Sequence, residues 1–262
     1  MQLSALYRYP LKSSRAQPLD CASVSAIGID GDRAWMLIDA KGRMITGREL
    51  PKLVLVDVVA DAHGATFAAA GREPLHVRSD AFVIEQDCEV WKNRFTALRG
   101  DEFADRWFSE YLGTKCSLLY IGGVPGRRRL TGAPEIPLSF ADGYPLLLIG
   151  QGSLDDLNSR LAKPVPMACF RPNLVVAGSD AFAEDRWRQL RVGAVLFDVA
   201  KPCTRCIFTT VDPDRGEKSV DREPLLTLAK YRRFDIGTCF GMNLIARSEG
   251  VLRLGDPVHI LD

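Results

Sequence analysis

Three histidines in 262 residues, His63, His76 and His259, stand far apart. The chain therefore lacks the imidazole cluster that structural zinc sites combine with cysteine. Charge of one sign is equally short: 34 Lys and Arg face 33 Asp and Glu, a formal +1. That balance excludes a global field holding the protein on nucleic acid or an anionic membrane, while leaving a local basic pocket open. No apolar run approaches the roughly 18 residues of a membrane helix. The start, Met1-Gln-Leu-Ser-Ala-Leu-Tyr-Arg-Tyr-Pro10, lacks the charged and apolar regions of a signal peptide. A reducing, cytoplasmic compartment is expected. There is no internal repeat, no low-complexity tract and no dinucleotide fingerprint.

What is present is an ordinary globular balance, 47% hydrophobic and 26% charged. The first hundred residues read as short strands (3–9, 22–29, 34–38, 53–59, 75–78 and 82–85) separated by glycine-bearing breaks such as Asp30-Gly31-Asp32 and Ala40-Lys41-Gly42. This predicts an all-β first part. Asp101 is placed to cap an amphipathic helix in which Phe103, Ala104, Trp107, Phe108, Tyr111 and Leu112 recur before Gly113 stops it. The proline- and glycine-rich segment 122–137, with Arg127-Arg128-Arg129, reads as a linker or loop whose basic run is a solvated face or an entrance attracting anions. Beyond it come an apolar strand at 145–149, a helix opened by a capping box at Ser153-Leu-Asp-Asp156, strands at 173–177 and 194–199, and a helix from Glu223-Pro224 to about Arg233. Strands near Leu244 and Val258 end the chain.

Seven cysteines, at 21, 88, 116, 169, 203, 206 and 239, follow no disulfide framework. Cys21, Cys88 and Cys116 read as buried, inert thiols. Cys203-Thr-Arg-Cys206 is open to four readings: zinc, a thioredoxin-like dithiol, two packing thiols, or a soft-metal site. Zinc lacks a second ligand pair. The dithiol reading wants a helix after the first cysteine, whereas Ile207-Phe-Thr-Thr-Val211 is β-branched and strand-like. For a soft metal, one thiolate ligates and Arg205 beside it favours the deprotonated form.

Across nearly its whole length the sequence resembles the MOSC-domain molybdenum-cofactor proteins, of the bacterial YcbX type and the mitochondrial amidoxime-reducing components. The most specific piece is Cys203-Thr-Arg-Cys-Ile-Phe-Thr-Thr-Val-Asp-Pro-Asp-Arg-Gly216, whose second cysteine matches the family's molybdenum ligand. Tyr9-Pro-Leu-Lys-Ser13, Gly31-Asp-Arg-Ala-Trp35, Phe170-Arg-Pro-Asn-Leu174 and Gly255-Asp-Pro-Val258 match in the same order. The resemblance implies that Cys206 binds molybdenum and serves catalysis. It also implies that Lys12, Ser13, Arg33, Arg171, Asn173, Thr204 and Arg205 surround the pterin and its phosphate. Asn243, in Phe240-Gly-Met-Asn243, aligns with another cofactor contact, at a position where mitochondrial members carry an aromatic residue. Thr46-Gly47-Arg48 falls in a familiar segment but is not counted as a contact. The donor set suits the cofactor, because a planar ring ending in a phosphate needs guanidinium forks, an ammonium, and amide or hydroxyl groups.

The fold so implied is mostly β: an N-terminal β-rich domain over residues 1–121 and a MOSC β-barrel with a few helices over 122–262, the cofactor lying between them. The implied function is a molybdenum-dependent oxidoreductase that reduces N-hydroxylated small molecules, such as amidoximes and hydroxylamines, by two-electron oxygen removal. Some bacterial relatives append an iron-sulfur domain, and the end at Asp262 is expected to leave it out, so a separate reductase or ferredoxin-like donor is expected. No nucleic-acid or membrane partner is expected. The alternative is a non-redox cofactor carrier or sulfur-handling module, related to the C-terminal domain of molybdenum-cofactor sulfurases.

Overall fold

A computed structural model describes residues 1–100, 102–123, 126–129 and 135–261. Strands dominate, as expected from the β-rich reading. A large sheet of nine strands and a five-stranded sheet are accompanied by three smaller ones. Its central strand Leu146–Gly150 is buried at every position. That continuous burial is what an uninterrupted Leu-Leu-Leu-Ile run requires, since a strand covered on both faces has no polar side. It pairs in parallel with Leu174–Ala177 and antiparallel with Gly237–Ala246.

The first strand, Gln2–Arg8, is hydrogen-bonded to Leu174–Ala177 in this same sheet. Val258–Ile260 joins the same sheet beside Gln189–Val192, while Cys21–Ser25 pairs with Gly250–Arg253 in a separate three-stranded sheet. The large sheet is thus assembled from both ends of the sequence. The five-stranded sheet runs Ile84–Val90, Asn93–Arg99, Ser117–Tyr120, Trp35–Ile38, Met44–Ile45. The helix Glu102–Leu112 lays Ala104, Trp107 and Phe108 into its core. Trp35, 2% exposed, organises that core, with Phe82 and Phe67 edge-on to its ring at centroid distances of 4.8 and 5.9 Å.

Several local expectations are corrected. Residues 51–55 form a 3-10 turn opened by Pro51 ahead of the strand Asp57–Ala60. The helix expected from Ser153 begins at Gln151. Ser153 instead bonds tertiary partners: its hydroxyl donates to Glu184 at 2.7 Å and accepts from the Phe182 N–H at 2.8 Å. Ile207–Thr210 is a short 3-10 turn rather than a strand. Cys21 is exposed, unlike Cys88 and Cys116. The Asp101 cap lies outside the described residues, as do 124–125 and 130–134 of the linker. Within the rest of that segment Arg127 is only 3% exposed and donates to the carbonyls of Ser139 and Ala141, so it is no solvated charge. Among the described residues no helix is long and apolar enough to cross a membrane.

The two long strands Val195–Thr204 and Gly237–Ala246 pair with register irregularities at Val199/Lys201 and Pro202/Thr204. Pro202 has no N–H to give the ladder, and such irregularities bend a strand. Past the strand's end, Cys206 meets Arg48, which follows the strand Met44–Ile45 of the five-stranded sheet.

Candidate functional site

A cavity of about 400 Å³ opens where the large sheet's strand ends meet loops from the first part of the chain. That size is within the range of small-molecule sites, roughly 300–1,000 Å³. Lys12, Ser13 and Arg33 line it from the first part; Arg171, Asn173, Thr204, Arg205, Cys206 and Asn243 line it from the second. The structure therefore brings every residue singled out from the sequence to one place.

Cys206 is exposed at the start of its 3-10 turn, and Cys203 is half-buried. Arg205 does not lie on Cys206 as the sequence suggested. Its Nη1 donates to Cys203 Sγ at 3.1 Å and its Nη2 to the Phe170 carbonyl at 2.7 Å. The guanidinium that reaches Cys206 is that of Arg48, with Nη1 3.9 Å from Sγ.

Arg33 and Arg171 are held over one ring. Their Cζ atoms lie 4.3 and 4.1 Å from the centroid of Tyr9, which is fully buried and donates its hydroxyl to the Pro172 carbonyl. Arg33 also donates to Asp32, to Asn173 Oδ1 and to the Arg171 carbonyl. Burial, with Arg33 nearby, brings Arg171 down to about 10. Its Nη1 donates to the Ser14 carbonyl, while its Nη2 is buried with no partner. Asp32, ion-paired with Arg33, offsets part of the repulsion between these two cations, and an anion in the cavity would offset more.

Lys12 is 6% exposed and donates to the Phe140 carbonyl and to Asp142. Burial lowers its pKa to about 8 against the opposing pull of Asp142. Asp142 itself is held well below the usual carboxylate range: burial works against its ionisation, but the charge and hydrogen bond of Lys12 together with the charges of Arg48 and Arg33 outweigh it. Asn173, 1% exposed, is bonded internally, its Oδ1 accepting from Arg33 and the Leu147 N–H and its Nδ2 donating to the Tyr7 carbonyl. Asn243 Nδ2 donates to the carbonyls of Lys201 and Pro202, bracing the irregular segment of the cysteine strand. Asp212 accepts from the backbone of Asp214 and Arg215, the geometry of a turn. Cys169 lines the cavity but is pushed up to about 12, chiefly by burial.

Sequence reasoning missed Trp91, Arg129, Asp142, Tyr144, Lys201 and Phe208, and named the Thr46-Gly47-Arg48 segment without counting Arg48 as a contact; all seven residues lie in the cavity wall. One signal was available for Arg129, whose basic run was read as a possible anion entrance; its guanidinium lies 4.4 Å over the Tyr144 ring. In all, seven cations (Lys12, Arg33, Arg48, Arg129, Arg171, Lys201, Arg205) face one acid, Asp142, in a chain of net charge +1. Besides Arg171 Nη2, the Nε atoms of Arg129 and Arg205 are buried without a partner. Unmatched buried donors are costly, and three on one cavity wall suit a ligand rich in acceptors and negative charge.

Backbone strain gathers here too. Of six non-glycine residues with positive φ among the described residues, four line this cavity: Ser13 (75°), Arg33 (48°), Trp91 (58°) and Arg171 (57°). Such conformations persist where the surroundings force them and cluster at binding sites.

Comparison with known proteins agrees in extent. The MOSC N-terminal beta barrel domain family matches residues 1–115 and the MOSC domain family matches residues 135–259. The chain is 33% identical over 279 residues to the mitochondrial amidoxime-reducing component 1 of Homo sapiens, covering 99% of this chain and 82% of that protein. It is 34% identical over 278 residues to the human component 2 and 36% identical over 284 residues to component 2 of Rattus norvegicus, each alignment covering 98% of this chain and 82% of the relative.

Proposed function

This chain belongs to the MOSC family, and from that membership we propose that it is a molybdenum-cofactor reductase of N-hydroxylated compounds, with Cys206 as the protein's ligand to the metal. The observation that carries the reading is the cavity: seven cations and three unpartnered guanidinium N–H groups around one accessible thiol. An anionic, acceptor-rich cofactor with a soft metal matches that donor set. Among the described residues no three His, Cys, Asp or Glu stand together, so a metal here would draw its other ligands from the organic part of the cofactor.

In this reading Lys12, Arg33, Arg171 and Arg205 hold the phosphate and pterin, with Ser13 and Thr204 as hydroxyl contacts. Asn173 and Asn243 act partly through others, the first by fixing Arg33 and the second by bracing the cysteine strand. The halves 1–121 and 122–262 each supply part of the site. When bound, the cofactor supplies the two-electron chemistry of oxygen removal. The protein's share is orientation, exclusion of bulk water, and a positive field around the reacting nitrogen. Atoms balance as one N–O bond broken, two electrons and two protons taken up, and one amine or amidine and one water released. The electrons come from a separate donor protein.

The test is molybdenum and pterin content per chain after expression in a cofactor-producing host, for wild type, Cys206→Ser and Cys203→Ser, followed by reductase assays on amidoximes. Near-stoichiometric metal, lost in Cys206→Ser and kept in Cys203→Ser, together with amidoxime reduction supports the proposal. A wild type carrying neither metal nor pterin from a competent host overturns it. Full cofactor with no reduction under any donor would favour the carrier reading.

A further inference from the structure

Arg129 and Lys201 are the two cations of this cavity that the proposed cofactor contacts leave without a task. Lys12, Arg33, Arg171 and Arg205 are assigned to the phosphate and pterin, and Arg48 is engaged by Asp142 at 3.9 Å and by the Trp91 ring. Arg129 and Lys201 both line the cavity, yet neither has an ion-pair partner among the described residues. The Nε of Arg129 is buried without a hydrogen bond.

The fold holds both in place. Arg128–Arg129 pairs with Ile136–Pro137 as a short ribbon, which the Leu138 N–H continues by donating to the Arg127 carbonyl. Side chains two apart on such a ribbon share a face, so Arg127 and Arg129 turn the same way while Arg128 is exposed on the other. Arg127 is buried and donates to the carbonyls of Ser139, Ala141 and Asp142, fastening the ribbon to the segment that carries Gly143 and Tyr144. Gly143 makes room, since a methyl group on it would lie 3.0 Å from Arg129 Nη1. Arg129 Cζ lies 4.4 Å from the Tyr144 ring centroid, and Lys201 Nζ, reaching from the strand Val195–Thr204, lies 5.8 Å from the same centroid. Two cations from separate elements thus converge on one ring. The ring attracts each of them but neutralises neither, and an anion beside it would relieve their repulsion. Cys206 opens on the same cavity five residues beyond Lys201, at most about 17 Å of extended chain.

We propose that Arg129, Lys201 and Tyr144 form a second anion subsite, separate from the cofactor's, and that it receives a carboxylate or phosphate carried on the far end of the substrate. The protein then favours N-hydroxylated compounds that bear a negative charge over uncharged ones. Arg129 offers a fork to the anion's oxygens, Lys201 a point charge, and Tyr144 a flat wall for the connecting skeleton. This deepens the reductase reading and rests on it for the N-hydroxylated end of the ligand.

The experiment uses the cofactor-loaded protein and the variants Lys201→Met, Lys201→Arg and Arg129→Gln. The ligands are aryl amidoximes bearing a carboxylate on spacers of increasing length, each paired with its uncharged methyl ester, and the amidine products of both. Three quantities are read: molybdenum, pterin and any nucleotide released per chain; binding of the amidine products, by calorimetry; and the ratio of kcat/KM for acid to that for ester. The expected result is unchanged cofactor content and, for at least one spacer, an acid bound about tenfold more tightly than its ester by wild type. That preference is lost in Lys201→Met and in Arg129→Gln, is kept in Lys201→Arg, and reappears in the turnover ratio through KM. Equal binding of acid and ester by wild type across the series overturns the subsite, as does a preference that both neutral variants retain. Loss of cofactor in those two variants, or a nucleotide on the released pterin, overturns it as well by giving the two cations to the cofactor. If loaded wild type turns nothing over the reductase reading fails, while the binding preference still decides the subsite.

Discussion

Arg205 donates to the sulfur of Cys203 at 3.1 Å, so the two cysteines of the Cys203-Thr-Arg-Cys206 segment stand under different arginines, the second under Arg48. Sequence neighbourhood pointed Arg205 at Cys206. At the irregular strand end, ahead of the 3-10 turn Ile207–Thr210, Arg205 instead bonds its other neighbour and the Phe170 carbonyl. One thiol is engaged with the framework and the other is presented to the cavity.

That division is readable by alkylation of cofactor-free protein at about pH 8, with labelling followed by peptide mass spectrometry. Cys21 and Cys206 are exposed and should label first. Cys88 and Cys169, both pushed up to about 12 by burial, and Cys116, pushed up to about 11, should label last. Labelling of Cys169 ahead of Cys206 would refute the geometry described for the pocket.

Lys12 gives the cavity a pH response. Its folded pKa of about 8 lies below its ordinary 10.5, so it is charged below pH 8 and neutral above it while the unfolded chain keeps its proton. Anion binding by cofactor-free protein should therefore weaken as pH rises through about 8. Sulfate, whose charge is constant in this range, should bind about fivefold less tightly at pH 9.5 than at pH 6.5, roughly the effect of one partly screened charge. Lys12→Met should flatten that dependence. By linkage, Lys12 costs stability below pH 8, and that cost is relieved between about 8 and 10.5, where the unfolded state binds more protons. A sulfate affinity that rises across the range would contradict this assignment.

Gly47 faces Phe208, and a methyl group placed on it would overlap that ring. Phe208 in turn lies 5.4 Å from the Arg171 guanidinium. Gly47→Ala should thus displace the wall of the site without altering any polar group in it. The expected outcome is cofactor content reduced several-fold with a melting temperature within a few degrees of wild type. Wild-type content would show that Phe208 can yield without consequence.

Phe240 is fully buried, 4.4 Å from Phe170 between ring centroids, in the apolar cluster behind the cysteine strand. Phe240→Ala should destabilise the protein by about 3–5 kcal/mol in denaturant unfolding. Arg205 is fixed to the Phe170 carbonyl, so the same variant should also loosen the site. A loss under about 1 kcal/mol would mean that the cluster closes over the gap.

Much of the site was legible because motif residues fall at strand ends that the topology gathers. Lys12, Arg33, Arg171 and Cys206 needed only their motifs. Arg48 was noticed in its segment but not counted, because nothing local joins it to Cys206, 158 residues away; Trp91 was not legible, since Trp91-Lys92 carries no glycine or asparagine to announce a hairpin. The segment Ile207–Thr210 read as a strand through its β-branched residues, but it lies past the end of a bent strand with no ladder partner and closes on itself instead, Thr209 and Thr210 hydroxyls donating to carbonyls three residues back. Asn173 was read as a pocket contact through the family resemblance. Its role in joining Tyr7, Arg33 and Leu147 depends on pairings that no local pattern reveals.

The strand Gln2–Arg8 has its partner in Leu174–Ala177, with Ser4 bonded to a carbonyl 171 residues later. During synthesis that strand emerges early and waits for its neighbour, roughly ten to thirty seconds at ribosomal rates of 5–20 residues per second. The five-stranded sheet, complete by Tyr120, can form in the meantime. The segments of Lys12 and Arg33 are joined within that first part, Lys12 N–H to the Trp35 carbonyl and Arg33 N–H to the Tyr9 carbonyl, whereas Arg171 and Cys206 arrive only with the later strands, so the cavity is complete only once the second part of the chain is in place. A cofactor delivered before that moment would meet an open mould, and one delivered later a finished one.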